Sequence, residues 1–224
     1  FHIALVCSTR GERGGRRDGT FISQSDLAAL RTAELEASCR ILGVHELHFL
    51  DLPDGSVEEH INDDVVEETL RVVDAEQSDL VVTLGRDGVY GHRDHIATTR
   101  LLHRALALIS PELHPMVLHS AFPKGLFSGV WHSLKKMPPP GVLGEVKVDE
   151  LGSGEEDWSL RVNIASVRDK KLASIAAHSS QLLDGDPMGF FGGEIIPRIL
   201  GEESFVHAAG PNIIAKLGLP EVSR

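Results

Sequence analysis

The sequence predicts an α/β fold built on a mainly parallel sheet, and three observations carry that expectation. Short apolar runs at residues 2–7, 45–50, 80–84 and 116–121 alternate with segments whose apolar residues recur at helical spacing. The runs feed polar, turn-rich loops, and the carboxyl ends of strands are where open α/β sheets bind ligands. Over 224 residues, a hydrophobic content of 42% and a charged content of 25% suit one soluble domain that buries its core without disulfides.

The elements follow in order. Residues 2–7 (His-Ile-Ala-Leu-Val-Cys) read as a buried strand, and residues 9–15 as a polar, glycine-rich loop. A helix is expected over 25–42, capped by Ser25 or Asp26, with Leu27, Leu30, Ala33 or Glu34, Ala37 and Ile41 on one face and Gly43 as its stop. Strand 45–50 ends in the turn Asp51-Leu-Pro-Asp-Gly55. Helix 62–75 presents Val65, Val66, Leu70 and Val73; strand 80–84, loop 85–95 and a helix from Ile96 to Ile109 follow, the last stopping before Ser110-Pro111. Strand 116–121 precedes an irregular insertion at 122–159, marked by Pro138-Pro-Pro-Gly141 and Gly152-Ser-Gly-Glu-Glu156. Beyond it come a returning strand at 158–163, a helix at 167–183, a loop with Phe190 and Phe191, a short helix at 195–200 and an edge strand at 203–206. There is no internal repeat, so a single domain over 1–224 is expected.

The chemistry concentrates in Tyr90-Gly91-His92-Arg93-Asp94-His95, which places two imidazoles and a carboxylate on one turn between a strand and a helix. Neutral imidazole is the commonest side-chain ligand for zinc-like metals. A catalytic zinc takes three protein ligands and keeps one position for water. Two imidazoles on a tight turn do not easily share one ion. One is therefore expected to bind metal while the other donates to a developing oxyanion or to the leaving group. Asp94 is placed to orient a ligand, and Tyr90 to add a hydroxyl donor at the same rim. The bland alternative is a solvated loop.

Residues 90–100 (Tyr-Gly-His-Arg-Asp-His-Ile-Ala-Thr-Thr-Arg) resemble the second signature of the LmbE-like (PIG-L-like) N-deacetylases. Thr9-Arg-Gly-Glu-Arg-Gly14 resembles that family's TxGExG loop, and Arg31-Thr-Ala-Glu34 with Leu42-Gly-Val44 its RxxE helix ending in LGV. Leu50-Asp-Leu-Pro-Asp-Gly55 resembles its next strand-end loop, and Lys170/Lys171 with Ala176-Ala-His-Ser-Ser-Gln181 its late K…HxSQ helix. The segments fall in family order and span most of residues 1–185. The resemblance implies a Rossmann-like three-layer sandwich, a divalent metal, usually Zn2+, and hydrolysis of the N-acetyl group of an N-acetylglucosamine unit or related amino-sugar conjugate. It makes His95 a metal ligand. It makes His92 the oxyanion stabiliser, assisted by Tyr90, with Asp94 the aspartate between the two histidines. Glu12, Arg31 and Asp54 fall near sugar-contacting positions, Arg31 most firmly. His178 and Gln181 match a motif to which no role is assigned.

One departure stands out. The family's first signature, (P/A)HPDDE, is absent; it supplies a metal histidine, a metal aspartate and the general base. The chain thus offers one of three expected ligands, and a metal held by His95 alone would be weak. The natural protein is expected to carry that signature and its strand ahead of Phe1. In the fold the resemblance implies, that strand would lie between those at 2–7 and 80–84, and its loss would leave two rows of unpaired backbone groups. The alternatives are an inactive Rossmann-like sugar-binding homologue or a metal hydrolase of another amide.

Composition narrows the partners. A net charge of −11 disfavours nucleic acid and anionic membranes, and no stretch approaches the roughly 20 apolar residues of a membrane span. Cys7 and Cys39 form no CxxC pair and read as buried thiols of a reducing, cytoplasmic protein. The expected partner is a small amino-sugar substrate, with a homo-oligomer as a further candidate. His45, His48, His60, His103, His114, His119, His132 and His207 read as surface or packing residues. Arg10, Arg13, Arg16 and Arg17 read as a solvated basic loop, and Asp51 and Asp54 as turn formers. Residues 85–91 lack both GxGxxG and the phosphate-loop lysine, which argues against nucleotide.

Overall fold

The structure, a computed structural model, describes residues 1–126, 150–188 and 196–219. Along the chain run β1 (Ala4–Cys7), α1 (Gln24–Leu42), β2 (Glu46–Phe49), α2 (Val57–His60), α3 (Asp63–Ala75), β3 (Leu80–Thr83), α4 (Gly88–Gly91), α5 (Arg93–Leu106), β4 (Met116–Ala121), β5 (Leu160–Asn163), α6 (Arg168–Ala176), α7 (Ile196–Ile199) and β6 (Glu202–Ala209). The chain divides into two compact units, Phe1–Val57 with Ile164–Gly201, and Glu58–Asn163 with Glu202–Arg224.

In the first unit β1 and β2 pair in parallel, Ala4 opposite Glu46 through Cys7 opposite Phe49. The helix between them starts at Gln24, one residue earlier than its apolar pattern suggests. Ser23, not Ser25 or Asp26, is the cap: its Oγ accepts from the Asp26 N–H at 3.1 Å and donates to the Asp26 carboxylate at 2.6 Å. Gly43 ends α1 in the left-handed conformation (φ 83°), as its position predicts, and gives its N–H to the Cys39 carbonyl. Helix α6 packs on α1. The helix expected over 167–183 stops at Ala176, and a short 3₁₀ turn follows at Ser179–Gln181. The physical reason is that the Ser180 N–H bonds the buried Glu34 carboxylate at 2.6 Å instead of a helical carbonyl.

In the second unit the sheet order is β3-β4-β6-β5. β3 and β4 are parallel, while β6 runs antiparallel to both β4 and β5. The α/β class holds, but the sheet is mixed. The expected short edge strand at 203–206 is instead a long inner strand, because its backbone groups are satisfied on both sides. Alternation along β4 supplies both faces. Met116 and Leu118 pack with Leu160 and Ile214; Val117 packs with Leu102 and Leu106 of α5 and with Val73 of α3. Each such side chain contributes roughly 1.5–3 kcal/mol by leaving water. Asn62 caps α3 by accepting from the Val65 N–H at 3.0 Å. Thr99 pins α5 to the end of β3 by donating to the Leu84 carbonyl at 2.9 Å.

Two expectations of burial, of the strand at 2–7 and of the Cys7 thiol, need correction, and the strand at 80–84 is open as well. Val6 in β1 is 36% exposed and Val82 in β3 is 50% exposed, and Cys7 is only half-buried. Among the described residues β1 pairs with β2 alone and β3 with β4 alone, so each is an edge strand with less cover than its apolar run implies. Of the insertion expected at 122–159, the described ends touch: Pro123 bridges Ser153, and the Trp158 indole N–H donates to Ser153 Oγ at 2.8 Å. Residues 127–149, with Pro138–Gly141, and the Phe190–Phe191 loop lie outside the described residues. No described helix is long and apolar enough to cross a membrane.

Candidate active site

The histidine turn is built from its backbone outward. Asp87 caps it, its Oδ1 accepting from the Val89 N–H at 3.0 Å and its Oδ2 from the Gly152 N–H at 2.8 Å. Val89 takes φ 73°, ψ −56°, a region β-branched residues avoid. Strain of this kind costs about 1–3 kcal/mol and persists only where the surroundings enforce it. Here the Asp87 cap and the Gly91 N–H bond to the Asp87 carbonyl at 3.0 Å enforce it. Gly88 (φ 64°) lets the turn press onto α5: a Cβ there would stand 2.9 Å from Ile96 Cγ1 and 3.2 Å from His95 Cβ. The result gathers Tyr90, His92 and His95. The two imidazoles stack with centroids 4.5 Å apart, and the Tyr90 ring meets them edge-on at 5.9 and 5.3 Å.

The hydrogen bonds give these imidazoles opposite tautomers. His92 is the N-cap of α5, its Nδ1 accepting from the Asp94 N–H at 3.2 Å. An Nδ1 that accepts is unprotonated, so the neutral ring carries its proton on Nε2. His95 is the reverse. Its Nδ1 lies 3.1 Å from the Gly88 carbonyl, which can only accept, so Nδ1 carries the proton and Nε2 keeps a free lone pair. Burial, helped by the His92 ring, pulls the His95 imidazole down to about 4, against the opposing pull of the Gly88 carbonyl and Asp94. Asp94 is itself buried in the first turn of α5. The helix begins at Arg93 rather than at Ile96 because a histidine serves as its cap.

The residues expected to face the sugar lie in the first unit. Glu12 Oε1 accepts from the Asp54 N–H at 2.8 Å, and Asp54 Oδ2 accepts from the Arg13 N–H at 2.9 Å, so the two strand-end loops hold each other. Arg31 donates from Nη1 to the Gly11 carbonyl and from Nη2 to the Gly15 carbonyl at 3.3 Å. Burial lowers the pKa of its guanidinium, and the nearby carboxylates of Asp54, Glu34 and Glu12 raise it. The basic cluster is less free than a solvated loop: Arg10 lies 2.7 Å from Asp51, bonds Thr32 and stacks on Phe49 at 3.9 Å. His178 is half-buried, and burial lowers its pKa; its Nδ1 and Arg31 Nε are buried atoms without a hydrogen-bond partner among the described residues.

Zinc, which the resemblance implies, needs about three protein donors at one point. His95 offers one in the right tautomer. Among the described residues no group of three or more His, Cys, Asp or Glu side chains could hold an ion, so those residues alone do not make a zinc site. A cavity of ≈ 440 Å³ opens beside the turn rather than at it; Asp87, His119, Gly152 and His207 line it, and Tyr90, His92 and His95 do not. Asp87 and Gly88, which hold the turn in shape, lie outside the six-residue histidine motif; the Asp-Gly pair ahead of Tyr-Gly-His is their signal in the sequence.

Residues 2–106 match the PIG-L family model, described as GlcNAc-PI de-N-acetylase. A 1D-myo-inositol 2-acetamido-2-deoxy-alpha-D-glucopyranoside deacetylase of Thermobispora bispora is 26% identical, with 93% of this chain and 79% of the relative covered. A probable N-acetyl-alpha-D-glucosaminyl L-malate deacetylase 2 of Bacillus cereus is 25% identical, covering 80% and 70%. In fold, the chain resembles the N,N'-diacetylchitobiose deacetylase of Pyrococcus horikoshii (TM-score 0.59, 23% identity, 93% and 73% covered). It also resembles the 4-carboxy-2-hydroxymuconate hydratase GalB of Pseudomonas putida KT2440 (TM-score 0.62, 16% identity, 94% and 85% covered). A fold shared by a deacetylase and a hydratase does not choose between their reactions. The sequence matches do point one way: residues 2–106 match the PIG-L family model, and both sequence relatives named above are deacetylases.

Proposed function

We propose that this protein is a metal-dependent N-deacetylase that hydrolyses the acetamide of an N-acetylglucosamine-type sugar or conjugate, with zinc as the metal and His95 as one of its ligands. The observation that carries the reading is the pair of opposite tautomers on one turn. A lone pair on His95 Nε2 suits a metal, and an N–H on His92 Nε2 suits an oxyanion. In the reaction, water adds to the amide carbon and the carbonyl oxygen gains negative charge. His92 donates its Nε2 proton in a hydrogen bond to that oxygen, with Tyr90 as a second donor at the rim. The carbon–nitrogen bond then breaks as the sugar nitrogen takes the proton that the attacking water gives up, and it leaves as an amine beside acetic acid, which ionises to acetate. Asp94 keeps His92 in place through its own backbone N–H. Arg31, Glu12 and Asp54 are assigned to sugar recognition. Among the described residues the ligand set for the metal is incomplete.

The relatives' names supply the substrates to try first: an N-acetylglucosaminyl inositol and an N-acetylglucosaminyl malate. The full-length protein, supplied with zinc, should release acetate and free amine in equal amounts and lose that activity to a chelator. Metal analysis should find the ion reduced in His95→Ala. One observation favours a second reading, an inactive sugar-binding homologue: the described residues contain no three-ligand group. That reading predicts sugar binding with no acetate released at any metal loading.

A further inference from the structure

The glycine-rich loop after β1 is tied to α1 by a device that the sequence motifs do not explain. Arg31 reaches across it and donates to the Gly11 and Gly15 carbonyls. The seat for that guanidinium is made by missing side chains. A Cβ on Gly14 would stand 2.6 Å from Nη2, 2.7 Å from Nη1 and 3.0 Å from Cζ of Arg31. A Cβ on Gly11 would stand 2.7 Å from Nη1, whereas one on the neighbouring Gly15 would meet nothing within 4 Å. Two of the three glycines therefore shape the seat, and Gly14 does so without needing a left-handed backbone.

The second half of the device starts at Glu34, on the same face of α1 one turn further on. Glu34 is 6% exposed, and a buried carboxylate is tolerated only when donors surround it. Its three donors all come from the turn after α6: Ser179 Oγ at 2.9 Å, the Ser180 N–H at 2.6 Å and Ser180 Oγ at 2.8 Å. Ser180 passes the restraint on, since its carbonyl accepts from the Arg17 N–H at 2.9 Å, at the far end of the glycine-rich loop. One helix thus holds the loop directly at residues 11 and 15 and, through a latch, at residue 17.

We infer that Gly14, Glu34 and Ser180 are positioning residues: the glycine seats the Arg31 guanidinium, and the carboxylate–serine latch anchors the loop, so that Arg31 and Glu12 are presented to the sugar in one fixed arrangement. This inference rests on the assignment of Arg31 and Glu12 to sugar recognition. It gives the late HxSQ segment a physical role, fastening the loop rather than touching substrate.

The test compares Gly14→Ala, Gly15→Ala and Ser180→Ala in the full-length protein. Amide hydrogen exchange across residues 11–17 is read first, then KM and kcat on the N-acetylglucosamine conjugate. The guanidinium is the tip of a flexible chain, so Gly14→Ala displaces it without unfolding the protein. Gly14→Ala and Ser180→Ala should each speed exchange of the loop about tenfold and raise KM about tenfold, with kcat held within about threefold. Gly15→Ala should change neither. Should Ser180→Ala fail to fold, Glu34→Gln, which leaves one acceptor oxygen for the Ser180 N–H, is read in its place. Loop exchange in Gly14→Ala equal to that in Gly15→Ala overturns the inference, as does a fall in kcat at unchanged KM. If the wild-type protein releases no acetate, the deacetylase reading fails by itself, and loop exchange alone decides the positioning claim.

Discussion

His92 caps a helix in this structure and is proposed to hold an oxyanion, and a pair of substitutions divides the two tasks. As N-cap of α5 it accepts the Asp94 N–H at Nδ1; as proposed donor it offers Nε2–H to the substrate oxygen. His92→Ala removes both. Loss of the cap costs about 0.5–2 kcal/mol of stability, or roughly 2–4 °C in melting temperature for each kcal/mol in a chain of this size. Loss of the oxyanion donor costs about 2.7–4 kcal/mol in the transition state, a fall in kcat of roughly 10²–10³. His92→Asn restores the first and not the second, because a side-chain amide oxygen caps a helix well but cannot reach where Nε2–H stood. Thermal melts and acetate-release kinetics on both variants should show Asn melting like wild type and Ala a few degrees lower, with both turning over about as slowly as each other. An Asn variant that keeps kcat within a few-fold of wild type would refute the donor role. An Asn variant that melts as low as Ala would refute the cap.

Asp87 holds the strained turn with two hydrogen bonds to its carboxylate, so Asp87→Ala should destabilise the protein by roughly 2–4 kcal/mol in denaturant unfolding. A change below about 0.5 kcal/mol would mean that the turn at Val89 is held by something else. His119 is buried and its Nε2 lies 2.9 Å from His103 Nε2. Burial, with His103 and Arg86 close by, holds its imidazole at about 4, below the 6.5 of the ordinary group. Between those values the unfolded chain binds more protons than the folded one. The stability contributed by the neutral ring is therefore complete above pH 6.5 and drains away as the pH falls toward 4. Unfolding measured across that window should show this slope, reduced in His119→Gln; equal slopes in the two proteins would contradict it.

What was legible in the sequence was local. Gly43 and Asn62 mark helix ends because a left-handed residue and a side-chain cap are decided by the residues beside them. The histidine turn was visible because all its chemistry falls within six consecutive residues. Features set by distant partners were not visible. Glu34 stands out in the RxxE motif, but nothing near it announces Ser179 and Ser180, some 145 positions later, which surround its carboxylate where α6 has ended at Ala176. β6 reads as a short edge strand because nothing near it announces pairing with both β4 and β5. The glycines at 11 and 14 advertise a loop but not the guanidinium they make room for. The proposed choice between the two histidines, left open by their spacing, rests on which backbone group each Nδ1 faces.

The most direct check is nitrogen-15 NMR of the imidazoles in the metal-free protein above pH 7. His92 should be protonated at Nε2 and His95 at Nδ1, two neutral rings of opposite tautomer on one turn. If both rings carry their protons on the same nitrogen, or if His92 holds its proton on Nδ1, the division of labour between donor and ligand is wrong.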